Sequence, residues 1–68
     1  MDFSQALLRL RRGAVMARAV WSGARLVYVP ETDDGYPRID LIDPDGRATP
    51  WIALRVEILA DDWVETKR

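Results

Sequence analysis

The chain has neither cysteine nor histidine among its 68 residues. Without cysteine, disulfide bonds and thiolate chemistry are excluded. Without histidine, the commonest general base and metal ligand is missing, so Ser-His and Cys-His mechanisms are excluded within this chain. The sequence also lacks a glycine-rich phosphate loop, a dinucleotide fingerprint and a nucleophile elbow. It therefore predicts a protein that is not an enzyme and has no cofactor and no metal site.

Neither charge nor hydropathy is concentrated enough to indicate a nucleic-acid polymer or a membrane as partner. The net charge is −1, from ten basic and eleven acidic residues, whereas a general duplex-DNA binder carries excess positive charge. No apolar run approaches the roughly 18–20 residues of a membrane span, and the first residues lack the pattern of a signal peptide. We therefore expect a cytoplasmic protein. Five arginines precede residue 26, so this part of the chain can still contact an anionic ligand.

Length and composition predict one globular domain over residues 1–68. Apolar residues make up 49% of the chain and charged residues 31%, which is typical of a folded protein and not of a disordered one. A domain this small buries only about 60% of its unfolded surface. Such small domains often gain stability by forming oligomers.

The N-terminal residues predict a helix from Asp2 to Arg12. Asp2 is a good N-cap, and Gln5 completes a capping-box pair with it. The apolar residues follow the i, i+3, i+4, i+7 spacing of one buried face: Phe3, Ala6, Leu7 and Leu10. Gly13 suits the left-handed conformation that often follows a helix.

The rest of the chain predicts strands separated by turns, and hence an α+β domain with a small, mostly antiparallel sheet. The extended segments are expected at 14–21, 26–29, 38–42 and 48–52, followed by an edge strand at 63–65 and a frayed tail at 66–68. Ile39 and Leu41 share one face of the third segment. The turn signals are Ser22-Gly23, Asp34-Gly35 and Asp43-Pro44-Asp45-Gly46.

The segment from Thr49 to Trp63 contains two of the three tryptophans. Its apolar residues Ile52, Val56 and Leu59 are spaced by four and three, which predicts a short helical turn at 56–60 with these side chains facing the core. Aromatic side chains bury the largest areas, so we expect Trp51 and Trp63 to anchor both ends of the segment.

Tryptophans interleaved with arginines give the strongest functional signal. Trp21 lies three residues after Arg18 and four before Arg25, and Trp51 lies four before Arg55. An indole offers a flat face for stacking a purine, and a guanidinium offers a planar fork for phosphate. The combination favours a nucleotide-like ligand. The alternative is that the same tryptophans simply fill the core.

The carboxylates give weaker signals. Asp33-Asp34 and Asp61-Asp62 are adjacent in sequence, and neighbouring residues point to different sides of a strand or helix. Asp43 and Asp45 match part of a calcium loop, but the remaining ligands are missing, and the pattern fits a hairpin turn better. A carboxylate-based hydrolase using Asp40 and Asp62 is a remote alternative.

The order of motifs along the chain resembles a known family. The segments D-F-S-Q-A-L-L-R-L-R-R-G, V-M-A-R-A-V-W-S-G, R-I-D-L-I-D-P-D-G-R-A-T-P-W-I-A and I-L-A-D-D-W are similar, in order and spacing, to those of the second Thoeris anti-defence family of phages and prophages. The resemblance extends from Phe3 to Trp63.

The resemblance implies a binding protein and not a catalyst. Members of this family form homo-oligomers, typically tetramers, and sequester cyclic nucleotide signals of bacterial immunity without cleaving them. These signals include glycocyclic ADP-ribose of Thoeris and, for some members, cyclic oligonucleotides of CBASS. The alternative from another class is a small protein-interaction module whose exposed edge strand pairs with a host protein.

Several motif positions match the family and several depart from it. The matches include Arg18, Trp21 and Gly23 in the first Trp motif, and Pro50 and Trp51 in the second. The departures are Val20 for Gly, Ser22 for Asn, Arg38 for His, and Leu54-Arg55 for Ser-Gln, and they fall on segments expected to face a ligand. The predicted ligand-binding residues are Arg18, Trp21, Ser22, Arg25, Arg38, Asp40, Trp51 and Arg55.

Overall fold

A computed structural model describes residues 1–67 as one sheet with a helix packed on it. The elements in chain order are α1 (Phe3–Arg11), β1 (Val15–Arg18), β2 (Arg25–Val29), β3 (Arg38–Ile42), β4 (Ala48–Pro50), α2 (Arg55–Ile58) and β5 (Trp63–Thr66). The strands form one sheet in the order β4-β3-β2-β1-β5, and every neighbouring pair is antiparallel. The predicted α+β class is confirmed. No helix among the described residues is long and apolar enough to cross a membrane.

The N-terminal helix forms as the capping pattern predicts. The Asp2 carboxylate accepts a hydrogen bond of 2.9 Å from the Gln5 backbone N–H, and the Gln5 side chain accepts one of 3.2 Å from the Asp2 backbone N–H. Gly13 follows the helix with φ 97°, in the left-handed region that favours glycine. Ala6 and Leu10 are fully buried, so the predicted apolar face of α1 is the one that contacts the sheet.

The core lies between α1 and one face of the sheet. Residues that pair directly across antiparallel strands share a face, and Met16 of β1 pairs with Leu26 of β2, which pairs with Leu41 of β3. The buried cluster consists of Ala6, Leu10, Met16, Leu26 and Trp63. Ile39 and Leu41 pack against this cluster, which confirms their predicted placement.

The opposite face of the sheet is also largely aliphatic. We call it the open sheet face, and its residues include Val15, Ala17, Val27, Val29 and Ile42. Both helices contact the Trp63 side of the sheet, and neither packs on the open sheet face. Val15 and Ala17 are nevertheless buried, with 4% and 8% of their surface exposed, and Val27, Val29 and Ile42 are partly buried. The open sheet face is therefore only partly accessible.

The turn between β3 and β4 has the predicted form. The Asp43 carboxylate accepts hydrogen bonds from the backbone N–H groups of Asp45 and Arg47, at 3.0 and 2.9 Å. Gly46 has φ 91°, and its N–H donates to the Asp43 carbonyl. These bonds close the hairpin, so the short strand β4 returns alongside β3 as predicted.

Three predicted strand ends are wrong. The first strand ends at Arg18 and not at 21, because the chain turns there and the Trp21 N–H donates to the Arg18 carbonyl at 3.0 Å. The return strand ends at Pro50 and not at 52. The last strand includes Thr66, which was expected to fray, while Arg68 lies outside the described residues.

The prediction that Ile52, Val56 and Leu59 face the core is also wrong. These side chains are 83%, 66% and 76% exposed. The helical turn α2 has only four residues, starting at Arg55, so Ile52 and Leu59 lie outside it and the three cannot form one helical face. No residue of α2 is buried.

Candidate functional site

An aromatic cluster forms the link between the core and the candidate site. Trp63 is fully buried at its centre. Its ring centroid lies 5.3 Å from that of Phe3, 5.4 Å from Trp21 and 6.1 Å from Trp51. These spacings and the tilted or edge-on angles are those that aromatic pairs prefer. Trp63 is therefore a core residue, whereas Trp21 and Trp51 pack on it and remain partly exposed.

Neighbouring backbone holds Trp63 in this position. Its strand pairs with β1, where Trp63 lies opposite Arg18. The Trp63 N–H donates to the Met1 carbonyl at 3.1 Å, and the Met1 ammonium donates to the Trp63 carbonyl at 3.0 Å. The indole Nε1 donates to the Glu57 carbonyl at 3.0 Å. The N-terminus, β1 and α2 thus all converge on this residue.

A depression of about 430 Å³ opens between the exposed parts of Trp21 and Trp51. Both are predicted site residues, and they come from separate parts of the chain, after β1 and after β4. A volume of this size lies within the range of small-molecule sites. The full lining consists of Trp21, Ala24, Leu41, Pro50, Trp51, Ile52, Leu54 and Glu57. We call this the tryptophan depression.

A second depression, of about 400 Å³, lies beside Trp51. It is lined by Trp51 and Arg38, both predicted site residues, and also by Tyr28, Pro37, Ile39 and Pro50. Trp51 and Pro50 border both depressions, so one indole can contact a ligand on either side. The Trp51 N–H donates to the Ile39 carbonyl at 2.8 Å, which fixes this residue to β3.

A third depression, of about 460 Å³, lies elsewhere, between α1 and β5. It contains the ion pair of Arg9 and Glu65 at 3.3 Å, whose side chains are both half exposed. Such exposed pairs are weak and easily screened by salt. No aromatic side chain lines this groove, so we place the candidate site at the tryptophan depression.

Arg18 is not available as a simple ligand cation. Its Nε and Nη2 atoms donate to the two carboxylate oxygens of Asp62, at 2.8 and 3.3 Å. The hydrogen bond from Arg18 lowers the pKa of Asp62 below its usual value, and the same bond raises the pKa of Arg18. The pair therefore joins β1 to the residue before β5. A ligand phosphate that bound Arg18 would have to compete with Asp62.

Three predicted site residues belong to the open sheet face and not to the face that carries Trp63: Arg25, Arg38 and Asp40. Arg38 donates Nε and Nη2 to the Asp40 carboxylate, at 2.8 and 3.4 Å, and this bond raises the pKa of Arg38. Asp40 is buried, with 6% of its surface exposed. It pairs with Val27, which belongs to the open sheet face. Arg25 donates Nη1 to the Gly23 carbonyl at 3.3 Å.

The remaining predicted residues, Ser22 and Arg55, are exposed and do not line either depression. The structure thus brings Trp21 and Trp51 together and places Arg38 beside Trp51, but it distributes the other predicted residues around them. Sequence reasoning missed Ala24, Leu41 and Ile52 as lining residues, and it placed Leu54 on a segment expected to face a ligand without including it among the binding residues. Ile52 alone could have been inferred as a lining residue, because it follows Trp51 directly in the sequence.

The carboxylates of the described residues do not gather at the site. Asp40 and Asp62, the residues of the hydrolase alternative, are each bonded to an arginine. Within residues 1–67 no group of three or more carboxylates lies close enough to hold a metal ion. Asp34 accepts hydrogen bonds from the Thr32 hydroxyl and the Tyr36 N–H, which lower its pKa and order its loop.

The chain is thus a small α+β domain with a depression at its surface that is lined partly by tryptophan. The model of the Tad2-like family, described as the Thoeris anti-defense 2-like domain, matches residues 1–66. The chain belongs to this family, which confirms the resemblance found in its motifs and supports a phage anti-defence role. A search of curated proteins found no match.

Proposed function

We propose that this protein binds cyclic nucleotide immune signals in the host cytoplasm and sequesters them without cleaving them. The signals are glycocyclic ADP-ribose of Thoeris, cyclic oligonucleotides of CBASS, or both. Sequestration lowers the free concentration of the activator, so the downstream effector stays inactive. Family membership supports the anti-defence role, and the tryptophan depression supports a ligand of this chemistry.

The observation that carries the proposal is the pair of partly exposed indoles, Trp21 and Trp51, that line the tryptophan depression. Stacking on an aromatic side chain contributes about 1–3 kcal/mol per base and tolerates any base, because every base has a π face. Trp21 and Trp51 are both fixed by contacts with the core, so their rings are held before the ligand arrives. Such preorganisation favours affinity.

Among the described residues that line the tryptophan depression there is no cation, although cyclic nucleotides carry phosphates. Its one charged residue is Glu57, whose carboxylate accepts a hydrogen bond from the Leu54 N–H at 3.2 Å. The neighbouring depression does contain a cation, because Arg38 lines it together with Trp51. The complete ligand site therefore needs positive charge from outside this depression.

A homo-oligomer, and specifically a tetramer, is part of the proposal. The protomer is only 68 residues long, and Val27, Val29 and Ile42 of the open sheet face are only partly buried within it. Antiparallel sheets usually present polar side chains, not aliphatic ones, on a face that no other layer covers. Packing against a second copy supplies that layer and also stabilises a domain of marginal size.

Isothermal titration calorimetry with cyclic ADP-ribose isomers and cyclic di- and trinucleotides tests the proposal. We expect at least one of them to bind, and the corresponding linear nucleotide to bind more weakly. Intrinsic tryptophan fluorescence should change on the same titration, because two of the three indoles border the depression. If no cyclic nucleotide binds or shifts the melting temperature, the proposal is wrong for this chain.

The second candidate function is a protein-interaction module that acts on a host protein. Two edge strands favour it: within residues 1–67, β4 pairs with β3 alone and β5 pairs with β1 alone. Edge strands present unpaired backbone groups that can add a strand from a partner. A specific host protein recovered with the tagged chain, together with no nucleotide binding, would select this function over sequestration.

A further inference from the structure

The tryptophan depression has an acidic side chain, Glu57, in its lining together with the indoles of Trp21 and Trp51. Glu57 is partly buried. Its Oε1 atom accepts a hydrogen bond of 3.2 Å from the Leu54 N–H, which caps α2. An ionised carboxylate has about four lone-pair sites on two oxygens. Most of the acceptor capacity of Glu57 is therefore left for a ligand.

The buried aromatic core fixes Glu57 relative to both indoles. The Glu57 carbonyl accepts the Trp63 indole N–H at 3.0 Å. Trp63 is also the residue on which Trp21 and Trp51 pack, with ring centroids 5.4 and 6.1 Å away. The acceptor and the stacking surfaces are thus tied to one buried side chain. Sites that stack a base commonly read it through hydrogen bonds to its edge, because stacking leaves the edge free.

The charges around Glu57 disfavour a phosphate beside it. Glu57 contributes, after Asp62, to raising the pKa of Arg18, so its carboxylate lies within electrostatic reach of that guanidinium. Asp62 already accepts hydrogen bonds from Nε and Nη2 of Arg18. Two carboxylates therefore act on one cation, and the surplus negative charge repels another anion. The lining favours a base next to Glu57, and not a phosphate.

We propose that Glu57 selects ligands with guanine in the tryptophan depression, by accepting hydrogen bonds from two adjacent donors of the base, N1–H and the N2 amino group. This inference rests on the proposed function, because it names the base that the same site prefers. The two oxygens of a carboxylate can accept a pair of parallel hydrogen bonds. Guanine alone among the RNA bases presents two adjacent donors on one edge.

Adenine fits the same carboxylate poorly. Its N6 amino group is a donor, but the neighbouring N1 is an acceptor, so one oxygen of Glu57 would face a lone pair. Hydrogen bonds to an ionised group are strong, and an acceptor that ligand binding buries without a donor weakens binding. Glu57 therefore favours a guanine-containing cyclic oligonucleotide over glycocyclic ADP-ribose, whose base is adenine.

Calorimetry with cyclic di-GMP and cyclic di-AMP tests the preference. The two ligands share one sugar-phosphate ring and differ only in their bases. We expect the wild-type chain to bind cyclic di-GMP about tenfold more tightly than cyclic di-AMP, or more. Equal affinities, or a preference for cyclic di-AMP, would overturn the inference.

Glu57→Gln is the informative variant. Its amide oxygen can still accept the Leu54 N–H, and the backbone carbonyl that binds Trp63 is unchanged. A glutamine amide pairs one donor with one acceptor, which matches adenine better than guanine. We expect the variant to lose affinity for cyclic di-GMP about tenfold and to gain affinity for cyclic di-AMP. A purely structural role would weaken both ligands alike.

Glu65→Gln is the matched control for this variant. Glu65 is half exposed and lies in the depression between α1 and β5, away from the indoles. The control should retain the wild-type preference for guanine. Thermal unfolding of both variants checks that each is folded. Equal loss of the guanine preference in both variants would show that the carboxylate of Glu57 does not read the base.

Mononucleotides separate this inference from the proposed function. Guanosine, inosine and adenosine monophosphates are titrated into the wild-type chain and followed by tryptophan fluorescence. Inosine keeps N1–H but lacks the N2 amino group, so its affinity should lie between the other two. If this order holds while no cyclic nucleotide binds, the base preference stands and sequestration fails. If cyclic dinucleotides bind without regard to base, sequestration stands and the inference fails. If no nucleotide binds, both fail.

Discussion

The indole Nε1 of Trp63 donates a hydrogen bond of 3.0 Å to the backbone carbonyl of Glu57. Trp63 is fully buried, whereas no residue of α2 is buried. This one bond therefore joins a fully buried aromatic residue to the exposed short helix α2. It also satisfies the indole N–H, which would be costly to bury without an acceptor.

Trp63→Phe should loosen α2 while keeping the aromatic core. The variant retains a ring but loses the hydrogen bond and some volume, so we expect the free energy of unfolding to fall by about 1–3 kcal/mol. Hydrogen exchange should accelerate most at the amides of Ile58 and Leu59, which donate to the carbonyls of Leu54 and Arg55.

Trp51→Phe is the control for that experiment. It removes an indole of the same cluster but leaves the bond from Trp63 to Glu57 in place. If Trp51→Phe accelerates exchange at Ile58 and Leu59 as much as Trp63→Phe does, the bond is not what holds α2.

The ion pair of Arg18 and Asp62 predicts a stability loss in acid. The hydrogen bond from Arg18 lowers the folded-state pKa of Asp62 below the ordinary value of 3.8. A lowered pKa means that the unfolded chain binds the proton more readily, so this contribution is fully present well above pH 3.8 and is lost as the pH falls through the folded-state pKa. Asp62→Asn should therefore flatten the pH dependence of unfolding below about pH 4.

The neighbouring acid provides the comparison. Asp61→Asn changes an exposed carboxylate beside Asp62 and should leave the steep acid limb in place. Urea unfolding at a series of pH values measures both variants. An equally steep acid limb in wild type and Asp62→Asn would show that this pair does not contribute.

Substitution of glycine by alanine should lower the free energy of unfolding by different amounts at Gly23 and Gly46. Gly46 and Gly23 both have positive φ, 91° and 96°, where an alanine costs about 1 kcal/mol or more. A Cβ at Gly46 meets nothing within 4 Å, but one at Gly23 lies 3.3 Å from the ring of Pro44. Gly23→Ala should therefore destabilise more than Gly46→Ala in urea unfolding. Equal effects would mean that Pro44 moves freely, leaving only the backbone cost.

Local sequence signals predicted much of the fold. The capping pair of Asp2 and Gln5 placed α1, and the turn from Asp43 to Gly46 placed the β3–β4 hairpin, because each feature depends on hydrogen bonds within a few residues. The apolar spacing of Ile52, Val56 and Leu59 led to a wrong prediction, because burial of these side chains does not depend on hydrogen bonds within a few residues. Spacing indicates an apolar surface, but it does not tell whether the same chain or another copy covers it.

The candidate site was predictable only in its aromatic part. Trp21 and Trp51 stood out by residue type, and the fold brings both to one depression. Arg18 and Arg38 stood out equally, but each is bonded to a carboxylate, Asp62 or Asp40. The pairing of Arg18 with Asp62 joins residues 44 positions apart, so it follows from strand order and not from local pattern.

Trp21→Ala and Arg18→Ala should act on different properties. Trp21 borders the tryptophan depression, so its loss should weaken ligand binding by about 5- to 150-fold, the equivalent of 1–3 kcal/mol of stacking. Arg18→Ala leaves Asp62 without its partner, so its main effect should be a lower melting temperature. Calorimetry and thermal unfolding on both variants measure this. A Trp21→Ala variant that binds normally would assign the indole to the core alone.

The most direct test of sequestration is recovery of the ligand from the protein. Purified protein is saturated with a cyclic nucleotide that it binds, separated from free ligand, and heated until it unfolds, and the released small molecule is identified by chromatography and mass spectrometry. We predict release of the intact cyclic nucleotide, in proportion to the protein and still able to activate its effector. Recovery of a linear or hydrolysed product, or of no nucleotide at all, would contradict the account.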